Sequence, residues 1–581
     1  MARSLFNYEE NRLEYGSLLM PEIGYDVEFA VAFTYSLDLE ALLGVPVSLG
    51  MLDEMDSGLI ENPFFLLEAI RKSSDKIAIF CNAGNIALPR NIRPVFALLE
   101  NSVFEVNLKN MDNFHPKMWF IKYTNDKGES YIKLIVLSRN LTFDRSFDYA
   151  VEMTGKIGNR KLNKNKPLAD MLKFTVKYTT NIQKHRKIIA LVDDVMCVEK
   201  FKLDDQFEDY DFFPLGITPY EVNATGLFEK CSDLIVFSPF VSSSILDTLA
   251  KNTKYNKTLF TRKNSLNKQI IDLYNKVYIT EDCVLDNEIT SEGEIEPKGY
   301  DIHAKIYFTH KNDGNYLYVG SANASYKAFY KNIEFLVKLK FNKYMMSYDA
   351  MLKELIPEDG CPFKEIKDIE IDKQIVDTSL LDKAFRETIR NINKAEITPT
   401  KERFSITLFT NNKTIDKDVY IAPLFRSHYF AQLNDSAVFT DMLLTEFSEF
   451  YVIKIEDKQI ITKIKTTGMP EDRDQAIYKS IIKDKKGFLA YVSLMLSDDY
   501  SESCFEQYEI AKQRLENAVV KNVSIPAALY ERMLKCLVNS PHRLLELDNL
   551  MSKLGDDLIT DDFKKMYFYF RDKDIAKTLK K

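Results

Sequence analysis

Two histidines each stand two residues before a lysine, in His115-Pro116-Lys117 and in His303-Ala304-Lys305. An imidazole can serve as nucleophile, acid or base near neutral pH, and a lysine ammonium is a compact charge suited to an anion. On a strand, residues i and i+2 project to one face, so the histidine and lysine of each pair would enter the same cleft. Each pair is followed, in the same order, by a Ser-x-Asn turn and a glutamate: Ser138, Asn140 and Glu152 in the first copy, Ser321, Asn323 and Glu334 in the second. Asparagine to glutamate spans 12 residues in one copy and 11 in the other, and histidine to asparagine 25 and 20, a difference that fits an intervening hairpin loop. Two imidazoles and two ammonium groups around one phosphate would supply an in-line nucleophile, a proton for the leaving oxygen and charge for the non-bridging oxygens.

The elements that must position these residues also recur. Residues 26–45, "DVEFAVAFTYSLDLEALLGV", pass from an apolar run into a helical period, and "DKIAIFCNAG", "SVFEVNL", "FHPKMWFIKY" and "YIKLIVLSRN" read as strands. From Glu221 onward, "DLIVFSPFVSSSILDTLAKN", "KTLFTRK", "KVYITE", "YDIHAKIYFTH", "YLYVGSANAS" and "IEFLVKLKF" repeat that order. This is an α/β pattern, with one lobe over residues 1–200 and a second over 201–345. The acidic stretch at 285–299 before the second pair reads as a lid or a simple insertion. Residues 346–581 read as an α+β region that turns helical beyond Tyr500, with Ser540, Pro541 and Gly555 as helix-end signals around "HRLLELDNLMSKL". That region carries no recognisable catalytic motif and is expected to bind DNA or a partner.

Composition bounds the alternatives. Apolar residues at 45% and charged residues at 28% are the balance of a folded globular chain, and 581 residues suggest several domains. There is no apolar run long enough for a membrane span and no apolar core of a secretory signal, so a cytoplasmic location without membrane attachment is expected. Seven cysteines without a Cys-x-x-Cys pair argue against structural zinc and a disulfide framework. A net charge of −8 excludes a uniformly basic surface but not a local patch. Two stretches stand out: Lys156–Lys187 has ten basic residues against Asp170 alone, and Lys251–Lys268 has six and no acid. Either stretch reads as a solvated face or as a phosphate-binding patch. No phosphate-loop motif is present, so an intrinsic NTPase is not expected.

The doubled His-x-Lys, each followed by Ser-x-Asn, resembles the phospholipase D superfamily over roughly residues 20–345. The resemblance implies two lobes, each a mixed sheet flanked by helices, related by a pseudo-twofold axis that builds one active site. It implies a covalent phosphohistidine, assigned to His115, with His303 as the acid that later activates water. Lys117 and Lys305 would hold the phosphate with Asn140 and Asn323, while Ser138 and Ser321 would contact phosphate or shape their turns. Glu152 and Glu334 would accept from an imidazole N–H. No metal and no cofactor are expected. Phospholipid-cleaving branches carry an aspartate five residues after the lysine, where this chain has Lys122 and His310, and Leu137 replaces the usual glycine before the first serine. The missing aspartates turn the resemblance toward nucleases and tyrosyl-DNA phosphodiesterases, hence toward DNA; similarity to restriction and anti-phage nucleases of the superfamily implies a prokaryotic defence role, and the C-terminal region without a catalytic signature, in a chain with no motor of its own, leads to the expectation of a helicase or other defence-system partner. A phospholipid hydrolase and a non-catalytic nucleic-acid scaffold are the competing readings. His185, His428 and His542 are expected to play ordinary surface or core roles.

Overall fold

A computed structural model of the chain describes residues 5, 15–49, 63–142, 146–280, 301–342, 345–356, 363–367, 379–401, 403–411, 418–496, 527–539, 542–554 and 557–578. The acidic stretch 285–299 and the helix-end residues Ser540, Pro541 and Gly555 lie outside the described residues.

The first sheet runs Val103–Val106, Ile77–Asn82, Tyr25–Thr34, Met118–Asn125, Ser130–Leu137, Ala150–Lys156 across its width. Its first two junctions are parallel and the other three antiparallel. Ile77–Asn82 is buried along its whole length, which suits a continuous apolar strand with parallel neighbours and both faces covered. The second sheet repeats the order and polarity with Lys276–Thr280, Lys257–Thr261, Asp233–Phe237, Ile306–Lys311, Gly314–Gly320 and Glu334–Phe341. Phe207–Leu215 and Phe363–Ile366 extend its two edges.

The two sheets face each other across one buried cluster. Phe29, Phe33, Phe80 and Phe120 come from the first sheet, and Phe237, Phe260, Phe308 and Phe335 from the second. Burying one such ring contributes roughly 1.5–3 kcal/mol, so a shared layer of this kind fixes the lobes against each other. The chain is therefore α/β with two lobes in pseudo-twofold relation, as the sequence pattern leads one to expect.

The C-terminal region is α+β and ends in helices. Its strand Lys458–Lys463 pairs at Ile461 with Ile86 of the first lobe. Helices His542–Leu554 and Asp561–Thr578 contribute Leu547 and Phe563 to a cluster that also holds Leu66 and Ile70 from helix Pro63–Ser73. Among the described residues no helix is long and apolar enough to cross a membrane.

Four of the ten basic residues in the first stretch form ion pairs. Lys161 pairs with Asp193, Lys164 with Asp209, and Lys166 and Lys173 with Asp170. Lys184 is buried, donates to Ile77 O and Ser102 Oγ, and burial lowers its pKa to about 7. A local count of charge could not see Asp193 and Asp209, which lie outside the stretch. The stretch reads as solvated helix faces.

Candidate active site

Each histidine sits in an extended segment that leaves its own sheet and pairs with the other lobe. Phe114 bridges Ile333, and His115 N donates to Ile333 O at 2.9 Å. Reciprocally, Asp301 and Ile302 pair with Ser146 and Phe147. The ladder strands begin only at Met118 and Ile306. This corrects the expectation that the His-x-Lys residues lie within those strands; Pro116, lacking an N–H, could not have extended the first ladder. Lys117 and Lys305 are both buried, and each ammonium donates to the carbonyl of its own histidine, at 3.0 Å for Lys117.

The crossover fixes which residues are equivalent. Phe114 precedes His115 and pairs with the residue before Glu334; Ile302 precedes His303 and pairs with the residue before Asp148. The ladders agree, since Leu137 opposes Ala150 as Gly320 opposes Leu336. Asp148, not Glu152, is the counterpart of Glu334.

Glu334 is fully buried and its Oε2 lies 2.8 Å from His115 Nδ1, which is also 3.1 Å from Ser321 O. Ser321 Oγ donates to the same carboxylate oxygen, and Asn332 Nδ2 donates to the other at 3.1 Å. A carboxylate of one lobe thus orients the imidazole of the other. In the first lobe Ser138 Oγ donates to Asp148 Oδ1 at 2.8 Å and accepts from Tyr149 N at 3.0 Å, just as Ser321 Oγ accepts from Phe335 N at 2.9 Å. Both serines are buried and their hydroxyls are committed. The expectation that Ser138 and Ser321 bind phosphate is therefore corrected: each orients a carboxylate, because the chain brings that acid within reach of its only O–H.

Glu152 is corrected as well. It opposes Ile135 in the ladder, is exposed, and lies 3.1 Å from Lys133. Lys133 is buried, with Leu18 O and Met20 O as its other acceptors, so its ammonium needs a counter-charge.

His115 is held neutral. Burial dominates in lowering its pKa to about 4; Glu334 opposes this, while the nearby charges of Lys117 and Lys305 add to it. Lysines of both lobes therefore act on one imidazole. Tyr35 packs its ring edge against His115, with centroids 4.9 Å apart, and Lys117 Nζ lies 5.7 Å from the Tyr35 ring centre. Tyr35 N also donates to Asn140 Oδ1 at 3.3 Å. In the second lobe Asn323 Oδ1 is buried without a hydrogen-bond partner, an exception among the described residues.

Tyr149 stitches the lobes together. Its hydroxyl accepts from Gly320 N and lies 3.2 Å from Lys305 O. Gly320 is required by its own ladder, since a Cβ there would sit 2.0 Å from Phe335 O. Asp148, Tyr149, Tyr35 and Asn332 were not singled out from the sequence. The signal for Asp148 was present in the apolar residue before it, Phe147, which matches Ile333.

Lys122 and His310 stand well away from the histidines. Lys122 pairs with Glu28 and Asp194, each at 3.0 Å, and His310 with Asp233 at 2.7 Å. His185 and His428 are exposed.

No protein-family model and no curated protein matches the chain. Among solved structures, yeast tyrosyl-DNA phosphodiesterase is similar at 12% identity over 54% of this chain and 82% of that one, with a TM-score of 0.32. Phosphatidylserine synthase of Haemophilus influenzae Rd KW20 is similar at 12% identity, over 64% and 90%, with a TM-score of 0.34. Nuc, a phospholipase D family member from Salmonella typhimurium, is similar at 10% identity over 28% of this chain and 99% of that one, with a TM-score of 0.20.

Proposed function

We infer that the protein is a phosphodiesterase that works through a covalent phosphohistidine and cleaves nucleic acid, with DNA as the first substrate to test. The observation that carries this reading is the crossed pairing: His115 is oriented by Glu334 of the other lobe and lies in the field of both Lys117 and Lys305.

With Nδ1–H donated to Glu334, the lone pair of His115 resides on Nε2. That nitrogen attacks phosphorus, the P–N bond forms, and the bond to the leaving oxygen breaks as His303 delivers its proton. Water then attacks the phosphohistidine, His303 takes the proton, and the P–N bond breaks to regenerate the imidazole. Glu334 balances the positive charge that the ring carries in the intermediate. Asp148 holds the equivalent place for His303. Lys117, Lys305 and the amides of Asn140 and Asn323 supply charge and donors to the non-bridging oxygens, so the residues themselves cover every requirement of in-line displacement.

The test incubates the full chain with linear, nicked and single-stranded DNA, with RNA and with phospholipid vesicles, all in excess EDTA. Cleavage of nucleic acid that is lost in both His115→Ala and His303→Ala supports the reading. Hydrolysis of vesicles alone would replace it with a lipid-directed activity, and binding without cleavage would leave a scaffold.

A further inference from the structure

Three large aromatic side chains stand exposed on the rim of the second half-site: Phe240 at 52%, Tyr326 at 51% and Tyr330 at 47%. Phe240 lies in the turn after strand Asp233–Phe237, and the two tyrosines lie on the short helix Tyr326–Tyr330 that follows the Asn323 turn. Ala324 N donates to Ser238 Oγ at 2.9 Å, Ser242 N to Ala324 O at 2.9 Å, and Tyr326 N to Ser242 Oγ at 3.1 Å. Ser265 Oγ donates to Pro239 O at 2.9 Å, which ties the turn Lys263–Ser265 to the same rim.

The aromatics are interleaved with cations. The Arg262 guanidinium lies 4.5 Å from the Phe240 ring centre. Tyr326 and Tyr330 face one another with centroids 5.0 Å apart and planes tilted by 31°. Lys263, Lys327 and Lys331 are exposed beside them, and the segments 238–242, 262–268 and 323–331 contain no aspartate or glutamate. The second basic stretch of the sequence thus ends beside these rings, at Arg262, Lys263 and Lys268.

We propose that Phe240, Tyr326 and Tyr330, with Arg262 and Lys327, form a shelf that stacks the unpaired bases of a single-stranded nucleic acid as it leaves the phosphate pocket. This rests on the reading of the adjacent site as a nucleic-acid phosphodiesterase. Exposed rings offer faces that any base can stack on, and the surrounding lysines match the charge of a phosphate backbone. A duplex keeps its base faces stacked on each other, so only unpaired bases can use the shelf. Basic residues with no acid among them in these segments favour a polyanion over a protein partner, whose surface would mix both signs.

The experiment measures binding of a fluorescein-labelled 20-nucleotide single strand, as DNA and as RNA, to the full chain carrying His115→Ala, which prevents turnover. Phe240→Ala and Tyr326→Ala should each weaken binding of the DNA or RNA strand about ten-fold. Phe240→Trp should restore it and Phe240→Leu should not, which separates a π-face from mere apolar bulk. A blunt duplex of the same length should bind the parent and the variants alike. Unchanged single-strand affinity in the alanine variants, equal losses for duplex and single strand, or no binding by the parent at low salt would each overturn the shelf. So would loss confined to vesicles of anionic phospholipid, which would assign the rim to a lipid surface. Hydrolysis of bis(p-nitrophenyl) phosphate by the chain with His115 intact reads the pocket alone. If that fails while strand binding still depends on Phe240, the phosphodiesterase reading falls and the shelf stands.

Discussion

In the first half-site Tyr35 gives its backbone N–H to Asn140 and its ring edge to His115. The same place in the second half-site is held by Pro239, which has neither to give. The equivalence follows from the neighbours: Thr34 Oγ1 accepts from Leu141 N and donates to Ser36 O, as Ser238 Oγ accepts from Ala324 N and donates to Phe240 O. Asn323 Oδ1 is consequently left without the donor that Asn140 enjoys. The duplication has kept the histidine, lysine, serine and asparagine of each half and let their supports diverge. One half is braced around a neutral imidazole, and the other carries a less constrained amide at the edge of an aromatic rim.

The largest effects should come from the histidines. His115→Ala and His303→Ala are each expected to lower cleavage at least about 1,000-fold without a change in melting temperature beyond a few degrees. Mixing the two inactive variants should restore nothing, because the proposed mechanism draws one histidine from each lobe of the same chain. Next in size are the carboxylates. Glu334→Gln should cost roughly 100-fold or more, and the loss should be accompanied by a further fall in the His115 pKa, since Glu334 is the group that raises it. Lys117→Met should move that pKa the other way. Both are read by following the His115 ring signals with pH in NMR. Wild-type His115 has a folded pKa near 4, below its unfolded value, so between about pH 6.5 and 4 the unfolded chain binds more protons. Its contribution to stability is therefore present above pH 6.5 and is lost as the pH falls toward 4. A urea midpoint measured at pH 7 and pH 4.5 should drop less in His115→Gln than in wild type.

Asp148→Asn sharpens the comparison from the opposite half. If the pairing across the lobes is reciprocal, it should slow cleavage by a factor comparable to Glu334→Gln while leaving the titration of His115 unchanged. Glu152→Gln should leave cleavage intact and lower stability by no more than about 1 kcal/mol, because Glu152 is exposed and Lys133 keeps Leu18 O and Met20 O as acceptors. Gly320→Ala should destabilise by roughly 2–3 kcal/mol, because its Cβ meets backbone atoms of Phe335 and Leu336 that cannot rotate away.

The doubled element order was legible because each lobe is built from local patterns: apolar strands, short turns and a repeated Ser-x-Asn. What was hidden depends on which segment of one lobe lies against the other. Matching identical letters selected Glu152, although the register of Phe147 against Ile302 selects an aspartate four residues earlier. The roles of Ser138 and Ser321 depend on where a single hydroxyl hydrogen points, and a carboxylate ten or thirteen residues downstream decides that. The departures at Lys122 and His310 looked like a clue to substrate. In the fold both positions contact the neighbouring strand, Lys122 as an ion pair with Glu28 and His310 through Nδ1 to Asp233. The docking of the C-terminal region on the first lobe was equally out of reach, since Ile86 and Ile461 are distant in sequence.

The smallest expected effect tests the asymmetry itself. Pro239→Ala returns an N–H to the position that Tyr35 occupies in the first lobe. The new hydrogen bond to Asn323 would be worth about 1 kcal/mol, and loss of the proline's restraint on the unfolded chain costs about 0.4–1 kcal/mol, so the melting temperature should barely move. The amide, however, would be pre-oriented with its NH2 toward the pocket, and inorganic phosphate or vanadate should bind a few-fold tighter. Tyr35→Pro is the mirror change: it strips Asn140 of its donor and His115 of its ring neighbour, and should weaken the same ligands by more than Pro239→Ala strengthens them. Equal and opposite shifts would mean that the N–H alone distinguishes the halves; a larger loss in Tyr35→Pro, only part of which appears in Tyr35→Ala, would divide the difference between ring and donor.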